Sequence, residues 1–182
     1  TKKAYTLDFP SEALYIPNIM NRHLVNFSEN TLCLIITSEP YNSENYIKNY
    51  KTPFLQPNNN QLSSEYKVLS DCSVIEFPTI RNSASHIISV NGEKDIPFDI
   101  ERIFYIYDIP YGEIRGMHAH KHGHEVLVAA SGSFEVELDD GAEKKIVLLD
   151  NPMCGLHIPP GIWATQKRYS SNAICLVMAS DI

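Results

Sequence analysis

The sequence predicts an all-β protein, with one complete jelly-roll barrel over residues 70–182 and a partial copy of the same barrel over residues 1–56. Three observations predict it. Short runs of β-branched and aromatic residues recur between Gly, Pro, Asn and Asp. Two stretches of the chain match each other without a gap. A histidine-rich segment lies between two glycines at the spacing of a strand, a turn and a second strand.

The strand runs are ERIFYIYDI (101–109), EVLVAA (125–130), SFEVELDD (133–140), KKIVLLD (144–150), GLHIP (155–159) and NAICLVMA (172–179). Asp140-Gly141 separates two of them and predicts a tight hairpin, since such turns need positive φ. Many short strands with frequent turn signals imply a sandwich or barrel. Helix is scarce, and SENYIKNY (43–50) with Ser43 as its N-cap is the best candidate.

Residues 1–40 align with residues 143–182 at a constant offset of 142, and 13 of the 40 positions are identical. These are Lys2, Lys3, Leu7, Asp8, Pro10, Leu14, Ile16, Pro17, Ser28, Asn30, Cys33, Leu34 and Ser38. The first copy therefore reads as the closing half of a barrel whose opening half is not in these 182 residues. The missing initiator Met fits a fragment of a longer two-barrel chain, and completion by a partner chain is the alternative. The segment 57–69, which includes PNNNQLSSE, reads as a linker.

Hydrophobic residues make up 43% and charged residues 20%, the profile of a folding globular chain. A net charge of −7 without a basic run argues against a nucleic-acid surface. No apolar stretch is long enough to span a bilayer, and the start lacks the layout of a signal peptide. Cys33, Cys72, Cys154 and Cys175 show no CxxC pairing and mostly lie in apolar runs, so buried free thiols in a cytoplasmic protein are expected.

The chemistry is concentrated in GEIRGMHAHKHGHEVLVAASG (112–132). Side chains two apart on a strand share a face, which would project His118 and His120 together while Met117 and Ala119 face away. Glu125 begins the next strand after a turn at His122-Gly123. The spacing Gly112, His118, His120, Glu125, Gly132 resembles the first motif of the cupin family. A second cupin motif is matched by Gly155, Pro159 and Gly161, but Ala164 stands where its histidine belongs. His118, His120 and Glu125 still have the composition of a two-histidine, one-carboxylate set for non-haem iron.

The ordinary structural roles stand beside these readings. His122 and His124 read as solvated turn residues, and His23 and His157 as loop or strand residues. Asp139 and Asp140 read as hairpin chemistry rather than an acid–base dyad. Glu125 has a bland alternative as a satisfied strand polar group, Trp163 as core packing, and Arg102 and Arg115 as surface ion pairs.

Beyond the cupin spacing, IPFDIERIFYIYDI (96–109), RGMHAHK (115–121), LDDG (138–141), GLHIPPGIW (155–163) and CLVMAS (175–180) resemble the nucleotide-sugar 3,4-ketoisomerases of the WxcM-like group. Residues 28–54 resemble that family's C-terminal tail. The resemblance implies an enediol isomerisation of a dTDP-linked 4-keto-6-deoxy sugar, without metal or other cofactor, in a homodimer. A histidine suits the proton transfer because its pKa lies near working pH. Under this reading His118 is the base and His120 positions substrate or relays the proton. Arg102 or Arg115 would contact the diphosphate, Tyr105 and Trp163 would stack on sugar or base, and Glu125 would line the substrate site. The family usually carries Gln at Glu125, His at Ala164 and Tyr at Phe104, so these positions mark altered specificity or activity. The rival readings are a 3,5-epimerase on similar sugars, a metal-dependent oxygenase using His118, His120 and Glu125, and a noncatalytic sugar-binding barrel.

Overall fold

The computed structural model describes residues 3–16, 24–28, 31–38, 69–81 and 85–182. After a 3-10 turn at Leu69–Asp71 come eleven strands: β1 (Ser73–Glu76), β2 (Thr79–Arg81), β3 (His86–Ile88), β4 (Arg102–Ile106), β5 (Arg115–His118), β6 (Glu125–Ser131), β7 (Phe134–Asp139), β8 (Lys144–Leu149), β9 (Cys154–Ile158), β10 (Trp163–Lys167) and β11 (Ile174–Ala179). The six runs named from sequence all contain a strand, with ends shifted by one to a few residues.

Nine of these strands form two antiparallel sheets, ordered β1-β9-β6-β11-β4 and β5-β10-β7-β8, while β2 and β3 form a separate hairpin. The Asp140-Gly141 turn divides the order in a regular way. Every ladder of the two large sheets joins a strand before that turn to a strand after it. The turn is built as its residues predict: Asp139 Oδ1 accepts from the Gly141 N–H at 2.8 Å, and Asp140 Oδ1 accepts from Ala142 and Glu143 at 3.0 and 2.9 Å. Those backbone donors, with Lys144 beside Asp139, hold both carboxyls below their usual range. Gly141, with φ of 91°, supplies the left-handed residue.

Both sheets face one core. Leu127, Leu156, Cys175 and Val177 from the first sheet pack with Phe134, Val136, Leu138, Leu149 and Ala164 from the second, and Phe134 stacks on Tyr169 at 5.0 Å. Burying each such large apolar side chain contributes about 1.5–3 kcal/mol. The outer side of the five-stranded sheet is covered as well, by Phe77, Ile96 and Phe98 packing on Val126, Val128 and Met178. That explains the unbroken apolar run of β6, which is buried on both faces, where β7 alternates buried and half-buried positions. The sheets enclose a common core without joining into one hydrogen-bonded ring, a more open arrangement than the closed barrel predicted.

The chain divides into two units, Thr1–Cys33 and Leu34–Ile182. The described residues within 3–38 contain no strand, although the repeat predicts counterparts of β8–β11 there. The predicted helix at 43–50 and all of the predicted linker except Leu69 lie outside the described residues. All four thiols are free. Cys72 and Cys175 are buried and Cys154 is half-buried as expected, whereas Cys33 is exposed. No helix among the described residues is long and apolar enough to cross a membrane.

Candidate active site

The site begins with an irregularity in β5. Against β10, Arg115 pairs with Gln166, Gly116 with Thr165, and His118 with Ala164, so Met117 is an extra residue with no opposite number. Gly116 and Met117 both take positive φ, 76° and 62°, the signature of a β-bulge that starts with a left-handed glycine. A Cβ on Gly116 would lie 2.8 Å from the Ala164 carbonyl oxygen, so only glycine fits. The bulge shifts the alternation by one. Without it Met117 would oppose the buried, inward-facing Ala164; with it His118 does, and Met117 is left 57% exposed.

His120 lies two residues past the strand end, held by its carbonyl oxygen, which accepts from the Gly161 N–H at 2.8 Å. The Pro-Pro-Gly turn of the second motif thus anchors the histidine of the first. The two imidazoles meet edge to face, with Nε2 atoms 3.2 Å apart and planes at 73°. His120 Nε2 is also 3.1 Å from Glu125 Oε1, a buried carboxylate. The sequence predicts Glu125 on a strand neighbouring the histidines, but β5 and β6 belong to different sheets, so the contact crosses the mouth between them. The ligand atoms of His118, His120 and Glu125 lie within 4.8 Å of one another, so this set is also capable of holding a divalent metal. Asp181 adds a second carboxylate, with Oδ2 4.0 Å from His120 Nδ1. It packs over Gly123, where a Cβ would come within 2.4 Å of its oxygens.

Arg102 belongs to the same mouth. On β4, Phe104 and Ile106 pack into the shared core while Ile103 packs on the outer cluster, so alternation turns Arg102 inward. Ala179 pairs with Arg102 on one side and Glu125 on the other, which sets the three in a row across the sheet. The guanidinium lies 5.1 Å over the Phe104 ring. Its buried Nε finds no hydrogen-bond partner among the described residues, and neither does Asp181 Oδ1. An inward-turned, unsatisfied cationic donor is suited to an anion.

The remaining candidates are dispersed. Arg115 opens β5 opposite Gln166, and its Nη1 reaches the Ile114 carbonyl oxygen at 3.0 Å and Glu113 at 3.4 Å. Tyr105 is on the outer face of β4, 5.8 Å from Tyr107. Trp163 is half-exposed on the outer face of β10, where its Nε1 donates to Thr165 Oγ1 at 3.2 Å beside Glu137, Asp139 and Lys144. The structure therefore gathers His118, His120, Glu125 and Arg102, and does not bring Tyr105 or Trp163 to them.

One pair was missed by sequence reasoning. His124 is not a solvated turn residue: its Nδ1 lies 2.9 Å from Nε2 of the buried His157, and the rings stack at 5.2 Å and 5°. Phe98 packs on both, with centroids at 5.9 and 6.2 Å. The available signal was parity, since His124 immediately precedes the inward-facing Glu125 on a strand covered on both sides.

A two-sheet β fold with imidazoles, a carboxylate and an arginine at its mouth has the make-up of a small-molecule site in a cupin-like protein. The chain belongs to the family described as FdtA: WxcM-like, C-terminal, which matches residues 1–58 and 70–182. It is 41% identical over 108 residues to the TDP-4-oxo-6-deoxy-alpha-D-glucose-3,4-oxoisomerase of Aneurinibacillus thermoaerophilus, covering 59% of this chain and 78% of that one. Among solved structures it is similar to QdtA, a sugar 3,4-ketoisomerase from Thermoanaerobacterium thermosaccharolyticum in complex with TDP, with 35% identity, a TM-score of 0.61 and coverage of 63% and 84%. The WlaRB TDP-quinovose 3,4-ketoisomerase of Campylobacter jejuni is similar at 35% identity, a TM-score of 0.61 and coverage of 63% and 88%.

Proposed function

We propose that this chain is a sugar-nucleotide 3,4-ketoisomerase that interconverts the 4-keto and 3-keto forms of a TDP-linked 6-deoxy sugar. The observation carrying this reading is the His118–His120–Glu125 cluster, with imidazole nitrogens 3.2 Å apart and a buried carboxylate at 3.1 Å, in a domain 41% identical to an oxoisomerase of that substrate class. His118 removes the proton from C3 of the 4-keto sugar, and the electron pair moves to the C4 carbonyl oxygen, which takes up a proton to give a 3,4-enediol. A proton returns to C4 and the O3 hydroxyl gives up its own, leaving a ketone at C3 and a hydroxyl at C4, with no net change in composition. His120, held by Glu125 and the Gly161 N–H, orients substrate or relays the proton. Arg102 takes the diphosphate, supported by its unsatisfied inward Nε, and Arg115 stands at the rim as a second cation.

The working form is a cytoplasmic homodimer whose sheets close into the jelly-roll barrel. Residues 1–56 are the closing half of a first repeat, joined by the linker at 57–69.

Incubation with TDP-4-keto-6-deoxyglucose in deuterated water, followed by NMR, tests the activity. Deuterium at C4 of a new 3-keto product, and at C3 of 4-keto sugar re-formed from it, is expected. Deuterium at C5 would replace the reading with a 3,5-epimerase, and tight binding without exchange would replace it with a binding module.

A further inference from the structure

Strand alternation carries one further carboxylate, Asp181, to the mouth. Ala179 stands opposite Glu125 on one side and Arg102 on the other and shares their inward face, so the residue two further on returns to that face. The pairing continues past the end of β11. The Ser180 N–H donates to the His124 carbonyl oxygen at 3.0 Å, and the His124 N–H donates to Ser180 Oγ at 2.8 Å. Asp181 is thereby brought over Gly123, where any side chain would fill the space that its carboxylate occupies.

That carboxylate is short of donors. Oδ1 is buried and has no hydrogen-bond partner among the described residues, and a carboxylate oxygen shut away from water without a donor is costly. Oδ2 lies 4.0 Å from His120 Nδ1, and Asp181 makes no other ion pair among the described residues. On the opposite edge of the same ring, Nε2 lies 3.1 Å from Glu125 Oε1 and 3.2 Å from His118 Nε2. Each nitrogen of His120 therefore faces a carboxylate, and a proton on either one has an acceptor. Which nitrogen of an imidazole exchanges protons is set by the hydrogen bond that the other makes. An N–H at Nδ1 turned to Asp181 leaves Nε2 as the nitrogen that meets His118.

We propose that Asp181 is a positioning residue for the isomerisation: it accepts a hydrogen bond from His120 Nδ1–H and so fixes the ring with Nε2 turned to His118 and to substrate. The separation of 4.0 Å exceeds a hydrogen bond by about 1 Å. Rotation about the broad terminal torsion of an aspartate closes a gap of that size, and contacts of this kind tighten when substrate fills the site. The role rests on the isomerase reading, because Asp181 acts only through His120.

Asp181→Asn tests it, since the side chain keeps its shape and exchanges one acceptor for a donor. Turnover of TDP-4-keto-6-deoxyglucose in deuterated water, followed by NMR, should show kcat lowered about tenfold to a hundredfold with KM changed less than about twofold. The melting temperature should stay the same, and Asp181→Glu should recover part of the loss. In protein carrying isotope-labelled histidine nitrogens, with substrate and product at equilibrium, the His120 proton should reside on Nδ1 in the wild type and move to Nε2 in Asp181→Asn. Gly123→Ala leaves the aspartate in place but pushes its carboxylate aside, and should lower kcat in the same direction. A wild-type protein without turnover would overturn the isomerase reading and this role with it. An active wild type whose Asp181→Asn variant keeps full kcat and the same His120 proton position would overturn the role of Asp181 alone. A raised KM at constant kcat would make Asp181 a substrate contact, and a kcat loss that follows a fallen melting temperature, with Gly123→Ala silent, would make it structural; either result overturns the proposal.

Discussion

His118 and His120 at the mouth, and His124 and His157 on the far side of the five-stranded sheet, bring imidazole nitrogens to similar separations of 3.2 and 2.9 Å. Their surroundings differ. The mouth pair meets edge to face beside Glu125 and the inward Arg102, whereas the outer pair stacks flat against Phe98. His124 and Glu125 are consecutive residues, and strand alternation alone sends one to each side. A histidine pair therefore says little until its face is known: one lies at the mouth beside a carboxylate, and the other packs with Phe98 on the outer side of the sheet.

The sharpest way to break this contrast is His118→Asn, which should lower kcat by about 10²–10⁴-fold with an unchanged melting temperature. A variant retaining full activity would remove His118 as the base. Glu125→Ala should follow, with kcat/KM reduced about tenfold to a hundredfold as His120 loses a charged partner; Glu125→Gln, carrying the family's usual residue, should recover most of it. Gly116→Val probes the bulge, because a side chain there meets the Ala164 carbonyl at positive φ. Urea titration should report a loss of about 1–3 kcal/mol, with a kcat deficit among the molecules still folded. For the outer pair, His157→Leu should cost about 1–3 kcal/mol by removing the buried nitrogen contact to His124, while kcat stays within about twofold. An equal effect of His157→Leu and His118→Asn on kcat would erase the distinction between the pairs. The smallest effect concerns Cys72, whose thiol burial pushes up from 9.0 to about 11. The unfolded chain sheds this proton first as pH rises, so stability present below pH 9 should decline towards pH 11, and Cys72→Ala should flatten that slope.

The strands and the hairpin were legible because period-two alternation and Asp-Gly chemistry are local. The meeting of His118, His120 and Glu125 was legible as a motif, but the expected reason was incomplete. His118, itself exposed, stands opposite the core-facing Ala164 through a bulge set by its register against β10, a relation between strands far apart in sequence that one strand does not announce. Tyr105 and Trp163 show the opposite case. Each adjoins a residue that turns to the core, Phe104 and Ala164, and neighbours on a strand cannot share a face. Parity was sufficient to exclude both from this chain's own mouth. His124 was misread because its turn is covered by the Phe98 loop, a contact made far away in sequence.

The alternation of early and late strands in both sheets also bears on synthesis. As the chain leaves the ribosome, β1 and β4–β7 emerge with no eligible neighbour, and the hairpin β2–β3 is the one ladder among the described strands able to zip at once. The framework waits for β8, and β4 waits for β11. Such deferred, non-local closure makes for slow maturation and leaves apolar ribbons open to aggregation for seconds at ordinary elongation rates. The apolar faces of the early strands thus stay uncovered until the later strands that pair with them have emerged.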